Sequence, residues 1–217
     1  MRRCVVCQVH TPDSLCVGCQ TLIQAPANPC VSCAKPMPQA DSLCGECRSD
    51  PPAFSRTLCA TLYQAPVSTW VQQLKFGERL DRARVMAECL MPLVQGLDPT
   101  VPLVPLPLHR RRLLSRGFNQ AQEIARLLAK AQARPLLDRH LQRVKNTAMQ
   151  AELSERQRAA NVRAAFTVVK PITATTVLLL DDVMTTGQTM RAAAQCLKQA
   201  GVAKVIAVVF ARSGAAH

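Results

Sequence analysis

Aromatic side chains are scarce in this chain: one Trp, one Tyr and five Phe among 217 residues. So small a supply argues against a base-stacking sheet of the RNA-recognition kind, which presents aromatics on adjacent strands. Acids are also few, 14 against 27 Lys and Arg, for a formal charge of +13. No apolar run approaches the roughly 20 residues of a membrane-spanning helix; Val177–Leu180, among the most apolar stretches, ends in two Asp. Met1-Arg2-Arg3 begins like a signal peptide, but Cys4 and Cys7 stand where its apolar segment would have to be. The expectation is a cytoplasmic protein. A disordered chain is excluded as well, since 48% of the residues are apolar. The length suits one α/β domain of about 100–200 residues with a small appendage.

What is present is unevenly distributed. Residues 1–58 are nearly neutral, whereas 109–163 carry thirteen Lys and Arg against four acids. A basic excess so concentrated points to a polyanion, whether a phosphate-rich small molecule, a nucleic acid or an acidic protein. The competing reading is a solvated face kept for solubility.

Eight of the eleven cysteines fall in four Cys-x-x-Cys pairs: Cys4/Cys7, Cys16/Cys19, Cys30/Cys33 and Cys44/Cys47. Two intervening residues let a tight knuckle aim both sulfurs at one ion, and two knuckles complete a tetrahedron. The pattern predicts two structural Zn sites, with no open position for catalysis. Disulfides are the alternative, disfavoured in a reducing compartment. Sequential pairing closes the shorter loops and is the expectation, although interleaved pairing is compatible with the spacing. Eight thiolates around two Zn²⁺ would leave residues 1–58 at about −3, a poor surface for DNA phosphates and a better one for structural or protein contacts. Cys59, Cys89 and Cys196 read as small core residues.

Pro51-Pro52 marks a linker over 51–58 between a ribbon at 1–50 and a second domain at 59–217. There, strand signals at Leu58–Tyr63, Val101–Pro107, Thr176–Leu180 and Val205–Phe210 alternate with helical ones. Val67, Trp70, Val71 and Leu74 share one helical face, and Leu80–Leu97 reads as a further helix. Another face joins Phe118, Ala121, Ala125, Leu128 and Ala129, and a last one Met190, Ala193, Ala194 and Leu197. This order predicts an α/β fold with a parallel sheet, Val101–Pro107 lying at an edge because of its prolines.

The chemistry concentrates at residues 177–190. A buried strand delivers Asp181 and Asp182 to its carboxyl end, where ligands bind in open α/β sheets. Thr185, Thr186, Gly187, Gln188 and Thr189 then form a turn into a helix, whose amides and hydroxyls can cradle one phosphate. Paired acids beside such a cradle suit a ligand with vicinal hydroxyls or an Mg²⁺ ion. Mere capping of the helix by these polar residues is the competing reading.

Residues 177–189 resemble the phosphoribosyl-pyrophosphate (PRPP) motif of type I phosphoribosyltransferases. Together with the four cysteine pairs, Leu74-Lys75-Phe76, Val104 through His109, Arg116 through Gln120, Gln150, Leu153, Arg156-x-Arg158 and Asn161 through Phe166, they look like the ComF family. That family joins a double zinc ribbon to a phosphoribosyltransferase-like domain and is linked to DNA uptake in competent bacteria. The resemblance implies that Asp181 and Asp182 contact ribose hydroxyls, directly or through hydrated Mg²⁺, while Thr185–Thr189 hold the 5′-phosphate. It places a pyrophosphate loop at Leu106–Gly117, with Arg110, Arg111, Arg112 and Arg116 facing the leaving group and Lys75 as a further cation. Residues Arg143–Arg163, with Arg143, Lys145, Arg156, Arg158 and Arg163, match a loop that closes over the reaction. His109 and His140 read as ordinary loop histidines.

Three functions fit this reading: Mg²⁺-dependent phosphoribosyl transfer with pyrophosphate release, a PRPP or nucleotide sensor without turnover, and a competence protein handling single-stranded DNA on its basic face. A competence helicase is the protein partner that the resemblance implies.

Overall fold

The computed structural model describes residues 2–77, 79–144 and 165–214. The expected positions Gln150, Leu153, Arg156, Arg158, Asn161 and Arg163, with Lys145, lie outside the described residues.

Four parallel strands form the central sheet: β3 (Arg56–Leu62), β4 (Leu103–Pro105), β7 (Thr176–Met184) and β8 (Lys204–Arg212), in the order β3-β8-β7-β4. β8 is buried at every position but Lys204, as a strand covered on both faces requires. β4 is an edge strand, which accommodates Pro105 without losing a ladder hydrogen bond. β3 begins at Arg56, paired with Ile206, so the sheet takes in residues of the expected linker. β5 (Leu141–Arg143) and β6 (Phe166–Val168) pair antiparallel as a separate ribbon.

Helices cover the sheet where the apolar periodicity put them. α3 (Val67–Phe76) buries Val67, Trp70, Val71 and Leu74. α4 (Asp81–Val94) packs on α6 (Gln120–Ala131), and α7 (Gln188–Gln199) buries Met190, Ala193, Ala194 and Leu197. The carbonyls left open beyond α4 are collected by the buried Arg134, whose guanidinium donates to Val94 O, Leu97 O, Asp98 O and Val101 O.

One segment departs from expectation. Arg110–Arg116, read as part of a loop, is a seven-residue helix, α5. The His109 Nδ1 accepts from Arg111 N at 3.2 Å and caps it, and Gly117 ends it with φ +81°. His109 therefore has a structural task that its neighbours did not disclose.

The N-terminal ribbon is docked rather than tethered. It contains the short strands β1 (Arg2–Arg3) and β2 (His10–Thr11) and the single-turn helices α1 (Val17–Gln20) and α2 (Gly45–Ser49). Glu88 of α4 accepts from Ser14 N at 2.8 Å and pairs with Arg2 at 3.3 Å. Leu62 N donates to Gln24 O, joining the ribbon to the end of β3. No helix among the described residues is long and apolar enough to cross a membrane.

Candidate functional site

The eight paired cysteines gather sequentially, Cys4, Cys7, Cys16 and Cys19 in one group and Cys30, Cys33, Cys44 and Cys47 in the other. Within each group all sulfurs lie within 4.8 Å of one another. Cys7 Sγ to Cys16 Sγ is 3.6 Å and Cys33 Sγ to Cys44 Sγ 3.7 Å, close to the ~3.8 Å edge of a tetrahedron with Zn–S near 2.3 Å. Amides stabilise the thiolate form that a metal requires: Cys16 N reaches Cys4 Sγ at 3.5 Å and Cys44 N reaches Cys30 Sγ at 3.4 Å. Burial pushes the Cys4 and Cys30 thiols up, but these and neighbouring amides outweigh it and bring both down to about 6. Both groups thus fit zinc. Cys59, Cys89 and Cys196 pack partly buried against the core, as expected; burial raises Cys59 to about 11 and Cys89 to about 12.

A second site lies beyond the carboxyl ends of β4 and β7, in a cavity of about 280 Å³. β7 runs to Met184, longer than its apolar run implied, so the acid pair is within the sheet, with Asp181 opposite Val209 of β8. Consecutive strand residues leave on opposite faces, yet both carboxylates line this cavity. The Asp181 carboxylate accepts from Asp182 N at 2.9 Å. Lys75, in the last turn of α3, places Nζ 2.6 Å from Asp182 Oδ2. This is an ion pair rather than an aligned hydrogen bond, since Oδ2 has no hydrogen-bond partner. Burial, and then the charge of Asp182, hold the Asp181 carboxyl well above the usual carboxylate range, with Lys75 opposing them.

α5 sorts the expected arginines by helical phase. Arg112 and Arg116, four residues apart, share a face and line the cavity. Arg110 and Arg111 are exposed and do not line it. Arg116 also donates to Gln120 Oε1 at 2.7 Å and lies over the Phe76 ring, 5.2 Å from its centroid. Arg143 of β5 completes the cationic wall. Burial lowers the Arg116 and Arg143 guanidinium pKa values, and the charge of Arg112 adds to both shifts. Crowded, partly desolvated cations are relieved by an anion.

The turn after β7 is divided. Thr185 and Thr189 line the cavity, whereas Thr186, Gly187 and Gln188 do not. Gln188 instead lines a separate cavity of about 500 Å³ between α2 and α7. Gly187 still serves the turn: its φ of +82° lies in the left-handed region and it caps α7 without a side chain, while the Gln188 amide donates to Thr186 Oγ1 at 3.5 Å. Tyr63, Asn119 and Gln120 also line the cavity without having been singled out individually. The Asn119 amide donates to Leu106 O at 3.0 Å and its oxygen caps α6. Only the Arg116 through Gln120 run had hinted at Asn119 and Gln120, and nothing local marks Tyr63.

Residues 113–217 match the phosphoribosyl transferase domain model. The chain is 32% identical over 197 residues to the DNA utilization protein YhgH of Salmonella typhimurium, covering 88% of this chain and 87% of that one. The chain belongs to the ComF family. Competence protein F of Haemophilus influenzae is similar across nearly its whole length, 29% over 215 residues, 94% of this chain and 93% of that protein. Competence protein ComFC of Bacillus subtilis is 32% identical over 106 residues, 49% of this chain and 42% of its own. The ComF assignment agrees with both halves of the structure: the parallel phosphoribosyltransferase-type sheet and the two Cys4 groups of the N-terminal segment.

Proposed function

We propose that this ComF protein binds PRPP in the cavity beyond β4 and β7 and transfers its phosphoribosyl group to an acceptor, releasing pyrophosphate in the service of DNA utilisation in the cytoplasm. The observation that supports this most is the convergence of Lys75, Arg112 and Arg116 with Asp181, Asp182, Thr185 and Thr189 around one cavity. Asp181 and Asp182 offer acceptors to the ribose hydroxyls and position the sugar. The turn from Thr185 to Thr189 offers amides and hydroxyls to the 5′-phosphate at the start of α7. Displacement at the anomeric carbon builds positive charge on the sugar and negative charge on the departing pyrophosphate. Arg112, Arg116 and Arg143 stand where negative charge can be stabilised without reorganisation. The paired carboxylates also form a hard-oxygen set suited to Mg²⁺, which when bound with PRPP would neutralise pyrophosphate charge. The two Cys4 groups would hold structural zinc, giving a ribbon at 1–50 joined to a transferase-like domain at 59–217.

Thermal shift tests the binding step: PRPP with Mg²⁺ should raise the Tm of the wild type and not that of Asp181→Asn/Asp182→Asn. Absence of any shift in the wild type would remove the pocket reading. Pyrophosphate release with a panel of nucleobases then separates a transferase from a sensor.

A second reading concerns DNA. Arg110 and Arg111 are exposed on α5 beside the exposed Leu114, outside the cavity, and are available to a polyanion while PRPP is bound. Single-stranded DNA, and with it a competence helicase, would be the partners at that face.

A further inference from the structure

Arg212, the last residue of β8, is a charge buried to 3% exposure with no acid paired to it among the described residues. Its guanidinium is satisfied by main-chain carbonyls instead. Nε donates to Cys33 O at 3.0 Å, and Nη1 to Met184 O at 3.0 Å, to Ser213 O at 3.0 Å and to Thr185 O. Burying a cation this way is expensive. Arg134 makes a comparable set of contacts, but around the end of α4, where open carbonyls need donors. Arg212 serves no helix end. Its acceptors come from three places: a zinc-knuckle residue, the residue just past its own strand, and the junction of β7 with the turn that leads into α7.

The consequence follows from peptide geometry. In a trans peptide the C=O and the following N–H point in opposite directions, and the only cis bond among the described residues is Ala65–Pro66. With the Met184 and Thr185 carbonyls drawn to Arg212, the Thr185 and Thr186 amides face away from it, and Thr185 lines the cavity. The same Cys4 group is gripped from α7 as well. Arg191 Nη2 lies 3.5 Å from Cys47 Sγ, while Nη1 donates to Asp50 O at 2.6 Å and pairs with Asp50 Oδ2 at 3.3 Å. Thus the turn and the first helical turn after it are each fastened to one zinc knuckle of the second group, through Cys33 and through Cys47.

We infer that Arg212 and Arg191 are positioning residues that couple metal occupancy of the Cys30/Cys33/Cys44/Cys47 group to anion affinity at the Thr185–Thr189 turn. This rests on the PRPP reading above. A metal that holds Cys33 and Cys47 in place holds the amides of the turn in place, and an anion seated on those amides must stabilise the metal by the same factor. The group formed by Cys4, Cys7, Cys16 and Cys19 is fastened instead to α4 and serves as an internal control.

The test uses the full, zinc-loaded chain and follows the transfer of zinc to a chromophoric chelator with and without PRPP, alongside PRPP affinity by calorimetry. At equilibrium, saturating PRPP should raise by about fivefold or more the chelator concentration needed to remove one of the two zinc ions and leave the other unchanged. Arg191→Gln, at a half-buried position whose side chain is 15% exposed, should abolish that protection and weaken PRPP by about the same factor. Arg212→Lys keeps the charge but loses the fork, and should weaken PRPP further. If Arg212→Lys does not fold, the wild type and Arg191→Gln decide the matter. Wild-type binding of PRPP with zinc loss unaltered, and Arg191→Gln binding equally well, would overturn the coupling and leave the PRPP reading standing. A wild type that ignores PRPP would overturn that reading and the coupling with it.

Discussion

Lys75 Nζ lies 2.6 Å from Asp182 Oδ2, tying the last turn of α3 to the strand that carries the acid pair. The carboxylate is almost fully enclosed and the ammonium partly so, with side-chain exposures of 8% and 23%. The pair therefore belongs to the site's electrostatics as much as to its stability, because any ligand cation or hydroxyl reaching Asp182 competes with Lys75.

Replacing Lys75 by Met should strip the acid pair of its nearest cation. The expected loss is about 1–3 kcal/mol of folding stability at neutral pH, measured by urea denaturation, because a largely buried carboxylate is left without a partner. Stability equal to the wild type would show that water compensates Asp182 fully.

Asp181 makes the pH dependence specific. Its carboxyl is held above the ordinary 3.8, by burial first and by Asp182 next. Its contribution to stability is complete below that value and is lost as the pH rises through the higher pKa of the folded state. Asp181→Asn should therefore raise Tm at pH 7 by about 2–4 °C and give a smaller gain near pH 4. A pH-independent difference between the two proteins would contradict this origin.

The division of α5 predicts two separable defects. Arg116→Gln should weaken PRPP about tenfold, as expected for losing a hydrogen bond to a charged group. Arg110→Gln/Arg111→Gln should leave PRPP affinity within about twofold and lower single-stranded DNA affinity, with a shallower salt dependence. Calorimetry for PRPP and fluorescence anisotropy for DNA check both arms, and a loss of PRPP affinity in the double variant would place those arginines in the site after all.

Gly187→Ala tests the turn. An added Cβ meets Met184 Sδ at 3.5 Å, an ordinary contact, so its cost comes from the φ of +82°. About 1–2 kcal/mol of stability should be lost, together with affinity for PRPP, as the turn leaves the left-handed region. An unchanged denaturation midpoint would mean that the turn relaxes freely.

Metal removal should be graded. Two zinc ions per chain are expected by elemental analysis, falling to one in Cys7→Ser. Stripping both should lower Tm by about 5–10 °C, since the ribbon shares packing with α4 and β3 and its knuckles need the metal to close.

Much of the fold was legible because its signals are local. Buried parallel strands are continuous apolar runs, so Val177–Leu180 and Val205–Phe210 announced themselves. The faces of α3 and α7 were written in their spacing. α5 was missed because three arginines followed by two leucines carry no amphipathic pattern against a core, and its capping depends on the orientation of the His109 ring. Tyr63 entered the cavity because β3 ends beside it, a neighbourhood created by pairing with β8, far away in sequence.

The order of residues alone determined the chemistry available: four cysteine knuckles, an acid pair after an apolar run, and a surplus of arginine. Tertiary structure decided which of those groups meet. Helical phase admitted Arg112 and Arg116 to the cavity and turned Arg110 and Arg111 outward. Strand pairing put Arg212 under the Thr185 turn and against the Cys33 carbonyl, 179 residues away in the chain. Such contacts depend on where folded elements end in space, a property that no stretch of neighbouring residues encodes.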